Sequence, residues 1–229
     1  KLADEIGMPY ISTVDTAFLD NPIVDIPYEI KMEIGDKKYM VFVPNYLLWH
    51  PNYKERFSVE ELISFYCQVI HKIWDFDSAL SIVMLPQTFG NGNMIDDIHL
   101  FRMVAENLND KRIIVIPDCY GSDIQQQIIR KSQFVIGARY HSIVFAINQN
   151  VPFIALSYEH KITGLLSTLG KDDCMIDFTT TMLSRINQEQ CIDQIVQMLP
   201  NLQCDDKARM KAKQIAQNAF NQFVKQFNI

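Results

Sequence analysis

Two stretches of the sequence place cationic side chains directly after an apolar segment. In VIGARYHS, Arg139 and His141 follow four apolar or small residues, and in SYEHK, Lys161 follows shortly after PFIAL. An arginine can hold a phosphate or carboxylate in a bidentate contact, and an imidazole can give up a proton near neutral pH. These residue types therefore favour the binding of a small anion together with acid–base chemistry.

The predicted secondary structure brings these residues to one edge of a sheet. His141 and Ser142 begin the predicted helix HSIVFAINQ, whose free N–H groups and positive dipole end favour an anion. Gly137 allows a close backbone approach, and Lys161 begins a further helix. The loop LPQTFGNGN follows another strand and contributes Gln87, while its GNGN run lacks the GxGxxG spacing. The predicted site residues are Arg139, His141, Ser142, Lys161, Gln87 and Gly137.

Alternative interpretations of these residues remain open. An arginine after a strand is usually solvated or paired in a salt bridge, and a histidine near a helix start is often a cap or a core residue. Gln87 could simply satisfy backbone groups in a turn. His50, His71 and His99 have no partners at metal-ligand spacing, so we interpret them as structural or surface residues.

Short apolar segments alternate regularly with helical patterns from about residue 40 onward. The predicted strands are YMVFVP, SIVMLP, RIIVIP, QFVIGA, PFIALS and CMIDF. Helices separate them, two of which we expect to be capped by Ser58 and Ser122. This alternation predicts an α/β fold with a doubly wound, Rossmann-like parallel sheet. Two long helices close the chain.

The region before the first of these strands has a different pattern. YISTV predicts a short strand, and the alternating YEIKMEI predicts either one arm of a hairpin or a lead-in to the sheet. The sequence opens in mid-pattern with Lys1, so we expect residues 1–27 to be the remnant of an N-terminal domain that is missing in cis. Residues 28–229 then form the Rossmann-like domain with its closing helices. We expect residues 1–27 to be peripheral and poorly packed.

Composition narrows the class of protein further. The 229 residues are 48% hydrophobic with a net charge of −6 and contain no run of Lys or Arg, which argues against nucleic-acid partners. The five cysteines never occur as CxxC, which is typical of reduced thiols in a cytosolic protein. No segment is long and apolar enough to predict a membrane span. We expect a cytoplasmic location, with the inner face of the membrane as an alternative.

The sequence resembles the polysaccharide pyruvyl transferase family. VIGARYHSIVFAINQNVPFIALSYEHKITGLL, residues 135–166, is similar to the family's V-I-G-x-R-x-H strand end, apolar helix, V-P strand and Y-x-x-K step. LPQTFG with IDDIH resembles its P-Q-S-x-G segment and following acidic pair. The opening EIGMPYISTVDTAFL is similar to a segment that ends in D-x-A-F near the end of the family's first domain.

This resemblance implies the second domain of a two-domain, GT-B-like architecture. Family members transfer the enolpyruvyl group of phosphoenolpyruvate to a sugar or lipid-linked glycan, forming a pyruvate ketal for a cell-surface polysaccharide. The resemblance places Arg139 and His141 in the donor site. We expect Arg139 to clamp the phosphate or carboxylate of the donor, and His141 either to protonate its methylene carbon as general acid or to stabilise the departing phosphate. Phosphoenolpyruvate is then a substrate, and we expect no cofactor and no metal. We also expect this segment alone to be inactive.

One position departs from the family pattern. Many members carry an arginine just after the first strand of this domain, where this chain has VFVPNYLLWH with Asn45 and Tyr46. Two alternatives to pyruvyl transfer therefore stay open: a non-catalytic relative that binds a glycan or an anion, and a sugar-nucleotide glycosyltransferase.

Overall fold

The computed structural model describes residues 7, 10–51, 53, 55–88, 96–118 and 120–227. The loop residues 89–93, which include the GNGN run, lie outside the described residues, as does most of the segment before residue 10. The described strands form one six-stranded sheet of order β3-β2-β1-β4-β5-β6, and every pairing is parallel.

The strands are short because each crosses only the interior of the domain. Their bounds are β1 Tyr39–Val43, β2 Ser81–Met84, β3 Ile113–Val115, β4 Val135–Gly137, β5 Phe153–Ser157 and β6 Met175–Asp177. Every residue of the central β1, β2, β4 and β5 is buried, as expected for parallel strands with helices on both faces. The apolar runs in the sequence reflect this two-sided burial.

Helices connect consecutive strands and close the chain. Their bounds are α1 Tyr28–Ile34, α2 Val59–Phe76, α3 Asp97–Leu108, α4 Ser122–Arg130, α5 Tyr140–Asn148, α6 His160–Leu169, α7 Arg185–Met198 and α8 Asp206–Phe227. Local sequence explains where several begin or end. Ser58 and Glu61 form a capping box at the start of α2, and Gly170 ends α6 with a φ of 75°.

The helices form two layers. On one side α2 packs against α3 and α7, and on the other α5 packs against α4, α6 and α8. The chain crosses between the layers where the strand order reverses, between β1 and β4. The predicted doubly wound, Rossmann-like α/β fold is therefore confirmed.

Three local predictions are wrong. Tyr28–Ile34 is a helix, because the spacing that suggested a strand also places Ile30 and Ile34 one helical turn apart on a buried face. Residues 10–14 form no strand, and a 3₁₀ helix follows at Thr16–Leu19. Ser122 is the first residue of α4, and Gly121 occupies the cap position.

One part of the N-terminal segment, the 3₁₀ helix Thr16–Leu19, packs against the core, although the segment was expected to be poorly packed. Phe18 is 1% exposed and belongs to the same hydrophobic core as the sheet. The side-chain amide of Asn148, on α5, donates to the carbonyl oxygens of Ala17 and Asp20, each at 3.0 Å. The 3₁₀ helix is therefore an integral part of the layer that contains α5 and α8.

This packing predicts a large loss of stability in Phe18→Ala. Removing a buried phenylalanine side chain should lower the free energy of unfolding by about 3–5 kcal/mol. Ile23→Ala is the matched control in the same segment, because Ile23 is 85% exposed. Its effect should stay within about 0.5 kcal/mol in urea denaturation. Equal effects of the two substitutions would contradict the packing described here.

Candidate active site

The carboxyl ends of β1 and β4 define the crevice in which doubly wound sheets bind ligands. Asn45 and Tyr46 follow β1, and the turn with Arg139 follows β4. The central motif, which the sequence placed only at one edge of the sheet, therefore lies at its topological switch point. The surrounding contacts determine which of its side chains a ligand can reach.

Arg139 forms a buried ion pair with Asp97. Its side chain is 11% exposed, and its Nη2 and Nε atoms lie 2.5 and 3.2 Å from Asp97 Oδ1. The other carboxylate oxygen accepts the backbone N–H groups of Gln87 and Thr88 at 3.0 and 2.9 Å. Burial raises the pKa of Asp97, while the charge of Arg139 opposes that rise. Arg139 is thus committed to a protein carboxylate and not free to hold a ligand alone.

Ser142 and Gly137 shape the turn between β4 and α5. Ser142 is fully buried and its hydroxyl donates to the carbonyl oxygen of Arg139 at 2.5 Å. A Cβ atom at Gly137 would lie 2.1 Å from the Ser142 hydroxyl oxygen, so only glycine allows this approach. The expected contact between Ser142 and a donor is therefore not supported by its position. Both residues instead fix the backbone that carries Arg139 and His141.

Gln87 is also held within the protein. Its side-chain amide nitrogen donates to Gln125 Oε1 at 3.2 Å, and its backbone is tied to Asp97. Its side-chain oxygen is buried, with no hydrogen-bond partner in the part of the chain that the structure describes. The described contact of the Gln87 side chain is thus with another side chain and not with a backbone group, and its contact with a donor stays a prediction.

His141 and Lys161 share an open cavity of about 500 Å³ between the first turns of α5 and α6. His141 is 57% exposed, and both Lys161 and His160 are exposed beside it. Asp15 and Tyr140 also line the cavity. The predicted cationic residues of α5 and α6 are therefore brought together, with a carboxylate at their side.

Asp15 is the residue that holds the imidazole of His141. The distance between Asp15 Oδ2 and His141 Nε2 is 3.5 Å, while Asp15 Oδ1 accepts the N–H of Ala17 at 2.8 Å. The hydrogen bond from His141 is the main reason that the pKa of Asp15 lies below its ordinary value. Asp15 lies in the VDTAF part of the segment that resembles the family, but the sequence alone assigned it no role.

The stretch VFVPNYLLWH, which runs from β1 into the following loop, contains no arginine, and its Asn45 is fully buried. The Tyr66 hydroxyl donates to the Asn45 carbonyl oxygen at 2.8 Å and accepts its N–H at 3.2 Å. The Trp49 indole N–H donates to Asn45 Oδ1 at 3.3 Å. Farther along, His50 Nε2 lies 3.8 Å from a carboxylate oxygen of Glu159, which precedes α6. Asn45 therefore organises this loop, and its side chain is not exposed to the crevice.

The described part of the chain contains neither a metal-ion site nor a helix that could span a membrane. No group of three or more His, Cys, Asp or Glu residues there could hold a metal ion. None of the helices described is both long and apolar enough to cross a membrane.

The fold and these motifs match a family of transferases. The family model for polysaccharide pyruvyl transferase matches residues 1–160. The chain therefore belongs to the polysaccharide pyruvyl transferase family. The matched range includes Asp15, Asp97, Arg139 and His141, and it ends one residue before Lys161.

A curated relative is the amylovoran biosynthesis protein AmsJ of Erwinia amylovora. It is 26% identical over 92 residues, which is 40% of this chain and 19% of the relative. The chain thus matches only a small part of that protein's length. AmsJ is named for the biosynthesis of amylovoran.

Similar solved structures show the GT-B type of architecture. One is described as a UDP-N-acetylglucosamine 2-epimerase from Listeria monocytogenes, with a TM-score of 0.54, 13% identity and coverage of 93% of this chain and 51% of that one. Another, a trehalose-6-phosphate protein from E. coli bound with UDP-2-fluoro glucose, has a TM-score of 0.55, 11% identity and coverage of 94% and 49%. The chain spans about half of each, and at these identities the similarity concerns the fold alone.

The buried ion pair predicts strong energetic coupling between Asp97 and Arg139. Asp97→Ala leaves a buried guanidinium unpaired and should lower the free energy of unfolding by about 3–5 kcal/mol. The double variant Asp97→Ala/Arg139→Met should lower the free energy of unfolding by less than the two single variants do in sum. The exposed pair Arg185–Glu189 is the control, with a coupling of about 0.3–0.5 kcal/mol. Additive effects at Asp97 and Arg139 in urea denaturation would contradict the pairing.

The contact between Asp15 and His141 predicts a change in the titration of Asp15. His141→Ala removes the main cause of its lowered pKa, so that pKa should rise toward the ordinary value. Carboxyl NMR signals followed through an acid titration measure the shift. The pKa of Asp205, which the backbone N–H of Ala208 and the side chain of Lys171 lower, should stay unchanged. An unaltered Asp15 titration would show that the two side chains do not interact.

Proposed function

We propose that this chain supplies the donor side of a transferase that moves the enolpyruvyl group of phosphoenolpyruvate onto a sugar of a cell-surface polysaccharide. The observation that carries this proposal is the cavity in which His141, His160 and Lys161 lie together within a chain of the pyruvyl transferase family. The product would be a pyruvate ketal, and inorganic phosphate would be released.

The charge of the donor suits this cavity. Phosphoenolpyruvate carries a phosphate and a carboxylate, and both are bound well by cationic side chains and by the N-termini of helices. His160 and Lys161 are the first two residues of α6, and His141 is the second residue of α5. Two helix starts and three cation-capable side chains thus face one small anion site in a chain of net charge −6. Asp15 does not oppose the donor directly, because its carboxylate accepts the hydrogen bond from His141.

His141 is the proposed general acid. Protonation of the methylene carbon of phosphoenolpyruvate by His141 makes C2 electrophilic, and a sugar hydroxyl adds there and returns its proton to the imidazole. As the C2–O bond to phosphate breaks, a second hydroxyl of the same sugar forms the second C–O bond of the ketal, and the departing phosphate takes up its proton. The Asp15 carboxylate would orient the ring through one nitrogen and leave the other for proton transfer.

The geometry changes the role that we propose for Arg139. Because its guanidinium faces Asp97, it fixes the turn that presents His141 and adds positive charge beneath the crevice. Tyr158 lies against it, and Arg139 opposes the burial-driven rise in the pKa of the Tyr158 hydroxyl. We therefore regard Arg139 as a positioning residue and Lys161 as the principal cationic contact of the donor.

The second candidate is a non-catalytic relative that binds a glycan or an anion. It is favoured by the buried Asn45, which stands where many members of the family carry an arginine. Such a protein would bind phosphoenolpyruvate or a similar anion at the same cavity without releasing phosphate. A turnover measurement separates the two candidates.

The test measures phosphate release from phosphoenolpyruvate by the full-length protein, with a panel of lipid-linked and nucleotide sugars as acceptors. His141→Ala should lower turnover by roughly 10²–10⁴-fold if the histidine transfers the proton. Lys161→Ala should mainly raise the KM for phosphoenolpyruvate, because it removes a cationic contact. His99→Ala is the control, since His99 is an exposed histidine on α3.

Each outcome decides between the candidates. Turnover that depends on His141 supports the transferase, and normal turnover in His141→Ala overturns the acid role. Binding of phosphoenolpyruvate without phosphate release, at every acceptor tried, favours the non-catalytic relative. Activity should also persist in the presence of a chelator, because the proposed donor contacts are made by side chains and helix N-termini.

A further inference from the structure

The closing helix α8 has a charge opposite to that of the whole chain. Its 22 residues contain five Lys or Arg side chains and one carboxylate, Asp206, which gives the helix a net charge of +4. The chain as a whole has a net charge of −6. The segregation is too strong to be a by-product of an evenly mixed surface, and it marks one face of the molecule as cationic.

Three of these lysines surround a groove between α8 and the 3₁₀ helix Thr16–Leu19. The groove has a volume of about 690 Å³, and its described lining includes no carboxylate. Its lining residues are Phe18, Leu19, Lys207, Met210, Lys211, Lys213, Gln214 and Gln217. Leu19 and Met210 are 39% and 59% exposed. The groove therefore combines positive charge at its rim with apolar side chains that are open to solvent.

The cationic face continues beyond the groove. Lys225 is exposed and lies on the same side of α8 as Lys207, because about five helical turns separate the two lysines. Elsewhere on the same helix, Phe220 and Phe223 are 51% and 45% exposed. Asp206 does not cancel the charge of the lysines, because it is paired with Arg209 at 2.5 Å. Asp20, at the end of the 3₁₀ helix, is an exposed acid next to Leu19.

We propose that this face, formed by α8 and Thr16–Leu19, docks onto an anionic lipid bilayer. Lipid phosphates would lie between Lys207, Lys211 and Lys213, while Leu19 and Met210 reach the level of the headgroups. Exposed apolar side chains among lysines fit a headgroup layer, which offers both charge and apolar surface. A nucleic acid would use the lysines but leave those apolar side chains without a partner. The proposal does not depend on the proposed enzymatic function.

The contribution of the lysines to membrane affinity can be predicted. A lysine close to an anionic membrane surface strengthens binding by roughly fivefold, so three lysines contribute on the order of a hundredfold. The attraction is screened beyond a Debye length, which falls to about 3 Å at 1 M salt. Binding should therefore be moderate, reversible and sensitive to salt.

The experiment is co-sedimentation of the chain with vesicles that carry no substrate. Binding is expected to phosphatidylcholine vesicles that contain about one third phosphatidylglycerol, and not to pure phosphatidylcholine. The triple variant Lys207→Gln/Lys211→Gln/Lys213→Gln should bind roughly a hundredfold more weakly. The matched control is Lys37→Gln/Lys111→Gln/Lys131→Gln, which removes the same charge from exposed lysines that precede β1, β3 and β4. It should bind like the unmodified chain.

Four results would overturn the proposal. Absence of binding to the anionic vesicles would do so, as would equal binding to pure phosphatidylcholine. Equal losses in the two triple variants would show a general charge effect and no docking face. Competition by millimolar inorganic phosphate at constant ionic strength would indicate a discrete phosphate site in the groove. Circular dichroism of both variants confirms that any loss of binding does not arise from unfolding.

Discussion

The buried pair of Asp97 and Arg139 holds the ligand-binding edge of the sheet together. Asp97 begins α3 in one helix layer, and Arg139 precedes α5 in the other, so the pair joins the layers across the switch point. The carboxylate receives four hydrogen bonds, two from the guanidinium and two from backbone N–H groups of the loop after β2. Without these partners the buried carboxylate of Asp97 would destabilise the folded state. The ion pair, the turn that carries Arg139 and the loop after β2 therefore depend on one another.

Much of the fold was predictable because its signals are local. The central strands are buried on both faces, so each appears as a continuous apolar run, and the start of α2 is marked by its Ser58 cap. The helix Tyr28–Ile34 was mistaken for a strand because its residues alternate and also satisfy the spacing of one helical turn. The same residues fit both the two-residue repeat of a strand and the spacing of a helical turn. Only tertiary packing, which buries Ile30 and Ile34 together, decides between them.

The candidate site was predictable in its cationic half and not in its acidic half. Arg139, His141 and Lys161 lie close in sequence and follow neighbouring strands, so the sheet topology brings them together. Their carboxylate partners come from distant positions, Asp97 forty-two residues before Arg139 and Asp15 in the 3₁₀ cap. A long-range ion pair leaves no periodic signal in the chain. The acids in IDDIH and VDTAF were visible only as family motifs without a partner.

The two proposed anion sites share one layer of the molecule. The first turns of α5 and α6 line the cavity with His141 and Lys161, and α8 packs against both of these helices. The 3₁₀ helix connects the sites more directly, since Asp15 caps it at the cavity and Leu19 ends it at the groove. If both proposals hold, a bilayer bound by α8 would present a lipid-linked sugar to the same layer that holds the donor. A soluble donor and a membrane-anchored acceptor could then meet without any movement of the sheet.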